Sequence, residues 1–214
     1  MRHGVAAYSD GFMPELRGME VLSMSEIADL LEPPEPRDQT RYHVSSLVNE
    51  AARITGNTYY ADVEPEPWQE NIMAFGRILE YDLRVICHER AGEKGLLFEP
   101  QIIMTLDDVV GTLDGILYDA AEPSQAVAVV EIKTAWSQVR SPIENWRYMC
   151  QVMAYCKLAK CTEARMPVVN LPRSGPPNVE ARLYTLSFTQ SEIDANWSLL
   201  LNVRDTLNKK EEEN

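Results

Sequence analysis

Two carboxylates, an ammonium and an amide–phenol pair are the side chains of this sequence whose spacing could do chemistry. They lie in Gly111-Thr112-Leu113-Asp114-Gly115, in Val129-Val130-Glu131-Ile132-Lys133 and in Gln151-Val152-Met153-Ala154-Tyr155. A valine-rich apolar run from Ala126 to Val130 leads directly into Glu131-Ile132-Lys133 and predicts a buried strand over 126–134. Side chains alternate along a strand, so Glu131 and Lys133 leave the same face. Asp114 sits in a second predicted strand, 109–118. If the two strands are neighbours, Asp114, Glu131 and Lys133 meet at one spot. Paired carboxylates suit a hard divalent cation such as magnesium. A lysine beside such an ion can orient or deprotonate a water, or hold developing negative charge.

Each residue also has an ordinary reading. Asp114-Gly115 is a hairpin-turn dipeptide, and Glu131 with Lys133 could be a solvated pair on one side of a strand. Gln151 and Tyr155, one helical turn apart, could belong to any amphipathic helix, and Glu80 could be a surface helix residue. Against this stands the placement of Asp114, Glu131 and Lys133 at the end or in the middle of strongly apolar strands, where unpaired charge is costly.

The order Asp, then Glu-x-Lys closing a strand, then Gln-x-x-x-Tyr on the following helix resembles the PD-(D/E)xK nuclease superfamily, in its RecB-like and lambda-exonuclease-like branch. Gly76-Arg77-Ile78-Leu79-Glu80 matches the Gly-x-x-x-Glu of that branch, and Leu113-Asp114 stands where the name has Pro-Asp. The resemblance spans about residues 43–205. It implies an α/β, restriction-endonuclease-like core with a central mixed sheet flanked by helices. It also implies an Mg²⁺- or Mn²⁺-dependent DNA nuclease with Glu80, Asp114 and Glu131 as metal ligands, aided by the Ile132 carbonyl. Lys133 would position the attacking water, and Gln151 and Tyr155 would hydrogen-bond Lys133, the nucleophile or a DNA phosphate. Within the branch, a chain of this size resembles phage-type recombination exonucleases. These act on duplex DNA ends, work with a single-strand annealing protein and often form homo-oligomeric rings. The alternatives are a CRISPR-associated or restriction-type endonuclease, or a non-catalytic nucleic-acid-binding protein on the same fold.

The elements that must position these residues follow from periodicity. Residues 1–41 form an irregular arm, with a possible short helix over Met24–Leu31 before Glu32-Pro33-Pro34-Glu35-Pro36. The expected nuclease domain covers 42–207, and 208–214 form a charged tail expected to be disordered. Helices are predicted over His43–Ile54, Trp68–Arg90, about 142–160 (Pro142 favouring the first turn) and Ser191–Leu207. Further strands are predicted near 97–105, 165–171 and 181–187.

A net charge of −13 is unusual for a protein that handles nucleic acid. Its distribution is uneven. Between Lys133 and Arg173 stand seven basic residues, including Arg140, Arg147, Lys157 and Lys160, and only two acidic ones. This segment is a candidate DNA-binding face, the alternative being a solvated helix surface. Cys87, Cys150, Cys156 and Cys161 contain no Cys-x-x-Cys pair, so buried free thiols are expected rather than an iron–sulfur cluster. His3, His43 and His88 have no ligand spacing. No apolar run approaches the length of a membrane span and Met1–Asp10 lacks a secretory core, so a cytoplasmic location is expected.

Overall fold

The hairpin that carries Asp114 is built from two eleven-residue strands, Leu96–Leu106 and Val109–Asp119, joined by Asp107-Asp108. Both aspartates have positive φ, 50° and 59°. A two-residue turn that follows strand twist needs this conformation, and Asp tolerates it. The C-terminal helix holds the turn from outside. Trp197 Nε1 donates to Asp107 Oδ2 at 2.9 Å, and Arg204 Nη1 donates to the Asp107 carbonyl at 2.5 Å.

The structure, a computed structural model, describes residues 5–6, 42–56, 79–80, 83–135, 144–170 and 180–212. In chain order the elements are β1 (Val5–Ala6), β2 (Tyr42–His43), α1 (Val44–Ile54), α2 (83–93), β3 (Leu96–Leu106), β4 (Val109–Asp119), β5 (Ala126–Val130), β6 (Lys133–Ala135), α3 (Trp146–Ala159), β7 (Glu163–Asn170), β8 (Glu180–Ser187) and α4 (Gln190–Glu212). The strands form one mixed sheet in the order β1-β8-β7-β5-β4-β2, with β3 also on β4 and β6 also on β7. β5 and β6 run parallel to β7, whereas β4 is antiparallel to both β3 and β5.

Val129 and Val130 are adjacent on β5 and so face opposite ways. Val129 joins the larger core, which packs Val44 and Leu47 of α1, Val152 and Leu158 of α3, and Ile193, Trp197 and Leu200 of α4 against the sheet. Val130 joins a smaller core with Phe98, Ile132 and Ala91, packed by Leu83 and Cys87 of α2. Helices therefore cover both faces, the α/β layering expected from the sequence.

β4 changes face at Asp114. Leu113 and Ile116 both belong to the larger core although three positions apart, so the two-residue alternation breaks between them. Opposite Asp114, Gln101 has φ 50°, and pairing passes from Ile102–Leu113 to Pro100–Gly115 without the residues between. Gly115 is required here, because a Cβ would run into the Phe98 ring and lie 3.0 Å from the Glu99 carbonyl oxygen.

The structure corrects several boundaries. The single strand expected over 126–134 is two pieces, β5 and β6, with Glu131 and Ile132 between them. The register against β7 continues across the gap, from Val130–Arg165 to Lys133–Val168. The ladder to β4 stops because the Ile132 N–H goes to the Asp114 side chain at 2.8 Å. Helix α3 starts at Trp146, after the expected Pro142, because the Asn145 side chain caps it, accepting from Arg147 N at 3.1 Å and Tyr148 N at 3.4 Å. Helix α4 continues to Glu212, so residues 208–212 are helical rather than a disordered tail. Tyr42 Oη donates to Asn208 Oδ1 at 2.5 Å, and Lys209 and Lys210 favour the negative end of the helix dipole. Within the arm, Val5–Ala6 pairs antiparallel with β8. The expected Met24–Leu31 helix, Gly76, the Trp68 start of the long helix and Arg140 lie outside the described residues. Among the described residues no helix is long and apolar enough to cross a membrane.

Candidate active site

A cleft of about 230 Å³ opens where β4, the β5–β6 break, α3 and the start of α1 meet. Asp114, Glu131, Ile132, Lys133, Gln151 and Tyr155 all line it, and so does Glu80. The residues singled out by spacing are therefore together in space.

Two chains of contacts organise them. In the first, Lys133 Nζ donates to Glu131 Oε1 at 2.5 Å and to Gln151 Oε1 at 3.4 Å, and Gln151 Nε2 donates to Tyr155 Oη at 2.8 Å. The ammonium also lies 5.1 Å from the centre of the Tyr148 ring, within cation–π range. In the second, Asp114 Oδ2 accepts from Ile132 N–H at 2.8 Å, while Oδ1 faces Arg84 Nη2 at 3.4 Å. Helix α3 comes close enough for this because residue 111 is glycine. A Cβ there would strike Leu158 and stand 3.1 Å from the Tyr155 ring.

Glu131 is 2% exposed. Burial pushes its carboxyl up, with help from the charges of Asp114 and Glu80 and against the pull of Lys133, to about 7. For Lys133, burial pulls downward, but the charge and hydrogen bond of Glu131, joined by Asp114, outweigh it and hold the ammonium above its usual range. Of this coupled pair Lys133 is the partner that stays charged, since Asp114 faces it as well. Burial and the charge of Glu131 raise the Tyr155 phenol, so it remains a neutral donor or acceptor.

Three carboxylates of one cleft are oxygen donors of the kind a hard divalent ion takes. Burial is the larger cause of the raised Glu131 carboxyl, and the charges of Asp114 and Glu80 add to it, a part that a cation would relieve. In donor type and charge the residues fit Mg²⁺ or Mn²⁺. They do not form a ready cage: among the described residues no three His, Cys, Asp or Glu side chains converge closely enough to hold an ion. Glu131 is turned to Lys133, and Asp114 to Arg84.

The basic residues divide. Arg147 lies in the first turn of α3, one turn before Gln151, and its Nε is buried without a hydrogen-bond partner. Lys157 points away to α4, donating to Asp194 at 2.7 Å. Lys160 caps the far end of α3 with φ 56° and lines a separate depression with Asp119 and Glu122. The structure does not bring Lys157 or Lys160 to the cleft.

Motif spacing does not single out several neighbours of the site. His43, Ser45 and Thr112 line the cleft. Arg84 follows Glu80 by four residues and Tyr148 precedes Gln151 by three, both offsets that share a helix face, so a signal for these two was present.

No protein-family model matches the chain, and no curated protein matches it. Solved structures similar to it include an alkaline exonuclease from Laribacter hongkongensis, at 15% identity and TM-score 0.48, covering 88% of each chain. The same exonuclease in complex with dAMP aligns at 14% identity and TM-score 0.49, over 81% of this chain and 90% of that one. A phage-related exonuclease from Haemophilus somnus aligns at 13% identity and TM-score 0.44, over 87% and 94%.

Proposed function

We propose that this chain is a metal-dependent deoxyribonuclease that hydrolyses DNA phosphodiesters, acting from duplex ends. One observation carries the reading: Lys133 is held between the buried Glu131 and Gln151 in the cleft that Asp114 lines. A charged lysine fixed by a carboxylate and an amide is preorganised toward whatever lies in the cleft.

The roles follow from the contacts. Glu80, Asp114 and Glu131, with the Ile132 carbonyl, would hold the divalent ion, which lowers the pKa of a water and offsets phosphate charge when bound. Lys133 has no lone pair to take a proton while it remains an ammonium. It therefore orients the attacking water through an N–H and carries negative charge that develops on the phosphate. Gln151 fixes the direction of Lys133 through Oε1, and Tyr155 fixes Gln151 through Oη. Arg147, one turn before Gln151, would contact an adjoining phosphate through its guanidinium, whose buried Nε has no partner among the described residues.

The test is to incubate the protein with end-labelled linear duplex and with closed circular duplex, in Mg²⁺ and in EDTA. Cutting of the linear substrate in Mg²⁺ alone supports the reading. No cutting of either substrate in Mg²⁺ or Mn²⁺ overturns it, and efficient cutting of the circle replaces the end-dependent mode with an endonuclease.

A further inference from the structure

Arg84 lies against Asp114 beside the cleft, and its contacts are incomplete. It reaches Asp114 Oδ1 with one nitrogen at 3.4 Å, long for a charge-assisted hydrogen bond, and both side chains are mostly buried. Its Nε is buried and has no hydrogen-bond partner among the described residues. A buried donor left unmet is costly. A guanidinium with five donors and one distant acceptor is poorly served by a purely structural role.

The missing partner has a definable shape. Nε and Nη2 form one edge of the guanidinium, a fork that fits two oxygens of a phosphate. The single oxygen Arg84 does touch also matters. Asp114 Oδ2 is held by the Ile132 N–H at 2.8 Å, whereas Oδ1 has only the longer Arg84 contact at 3.4 Å and is the oxygen more readily given to a metal ion. Arg84 and the ion therefore compete for the same atom. Lys133 is not interchangeable with Arg84 here, because it is engaged by Glu131 and Gln151.

We propose that Arg84 is a ligand for a substrate phosphate, resting on Asp114 Oδ1 until a divalent ion takes that oxygen and releases it. This rests on the nuclease reading above and adds to it an order of events. Without metal, Arg84 neutralises Asp114; with metal, its fork is free for a phosphate oxygen pair next to the ion.

The test uses the full chain with Arg84→Met and Arg84→Lys. Mn²⁺ binding is measured by titration calorimetry without DNA. Duplex binding is measured by anisotropy with Mn²⁺ over a range of salt, in a Lys133→Ala background that removes turnover. Arg84→Met should bind Mn²⁺ more tightly than the parent, by about fivefold or more, fivefold being the upper range for an exposed ion pair and this one being mostly buried. It should also lower the salt slope of duplex binding by about one. Arg84→Lys keeps the charge but not the fork, so it should bind Mn²⁺ like the parent while cutting more slowly. Variants that match the parent in Mn²⁺ affinity, salt slope and cleavage overturn the proposal and leave the nuclease reading intact. A parent that takes up no Mn²⁺ and cuts no DNA overturns both. A thermal melt of each variant separates these results from loss of fold.

Discussion

Replacing Glu131 by Gln should change how stability depends on pH, by an amount that burial sets. The carboxyl rises from 4.5 to about 7 on folding. The folded state thus holds the proton more tightly than the unfolded chain. The resulting stabilisation is complete below pH 4.5 and is lost as pH rises through 7. At about 1.4 kcal/mol per pH unit, the full span is about 3 kcal/mol, most of it between pH 5 and pH 8. Glutamine does not titrate, so Glu131→Gln lacks this loss. At pH 5 the parent's Glu131 is itself protonated, so there the glutamine takes no anion from Lys133; the loss of that anion is felt only above pH 7 and is already part of the parent's titration. The assay is urea unfolding of parent and variant at pH 5 and pH 8, without divalent ions. The stability difference between the two proteins should move by about 2–3 kcal/mol toward the variant on going to pH 8. An unchanged difference would mean that Glu131 is solvated or fully ionised in the folded chain, and the burial argument for the site would fail.

Four further outcomes are expected. Asp114→Ala and Lys133→Ala should each abolish Mg²⁺-dependent cleavage of labelled duplex while melting as a folded protein. Gly111→Ala should destabilise by about 1–3 kcal/mol in urea and slow cleavage, because the new methyl presses on Leu158 and the Tyr155 ring. Asn145→Ala should lower stability by about 1 kcal/mol through loss of the α3 cap, seen as a lower melting temperature. Arg147→Ala should reduce the salt slope of duplex binding by about one, while Lys157→Ala and Lys160→Ala leave it unchanged.

The site was legible because its chemistry sits on elements with strong local signals. The valine run into Glu131 is a property of adjacent residues, and a Gln–Tyr pair four apart shares one face of the helix predicted there. What escaped depends on contacts between distant segments. The break between β5 and β6 arises because Asp114 captures the Ile132 N–H, a bond across 18 positions that no window over 126–134 contains. Lys157 and Lys160 counted toward a basic face by composition, yet helix phase turned one toward Asp194, and helix length carried the other to the far end of α3. Net charge over a segment does not specify direction. The helical continuation of α4 past Leu207 likewise depends on Tyr42, 166 residues from its partner Asn208.

The pairing of β1 with β8 bears on the order in which the chain folds. Val5 lies opposite Tyr184 and Ala6 opposite Leu183, so the contact closes a loop of 179 positions. Closing such a loop in an unstructured chain costs about 4–5 kcal/mol in entropy. A two-residue ladder recovers little of that, at about 0.5–1.5 kcal/mol per hydrogen bond. The contact becomes favourable only after β4, β5, β7 and β8 have assembled and shortened the path between the partners. β1 is then the last strand to join and the first to leave in a partial opening. Until it joins, β8 is an open edge, and that interval is when the chain is most exposed to pairing with another copy of itself.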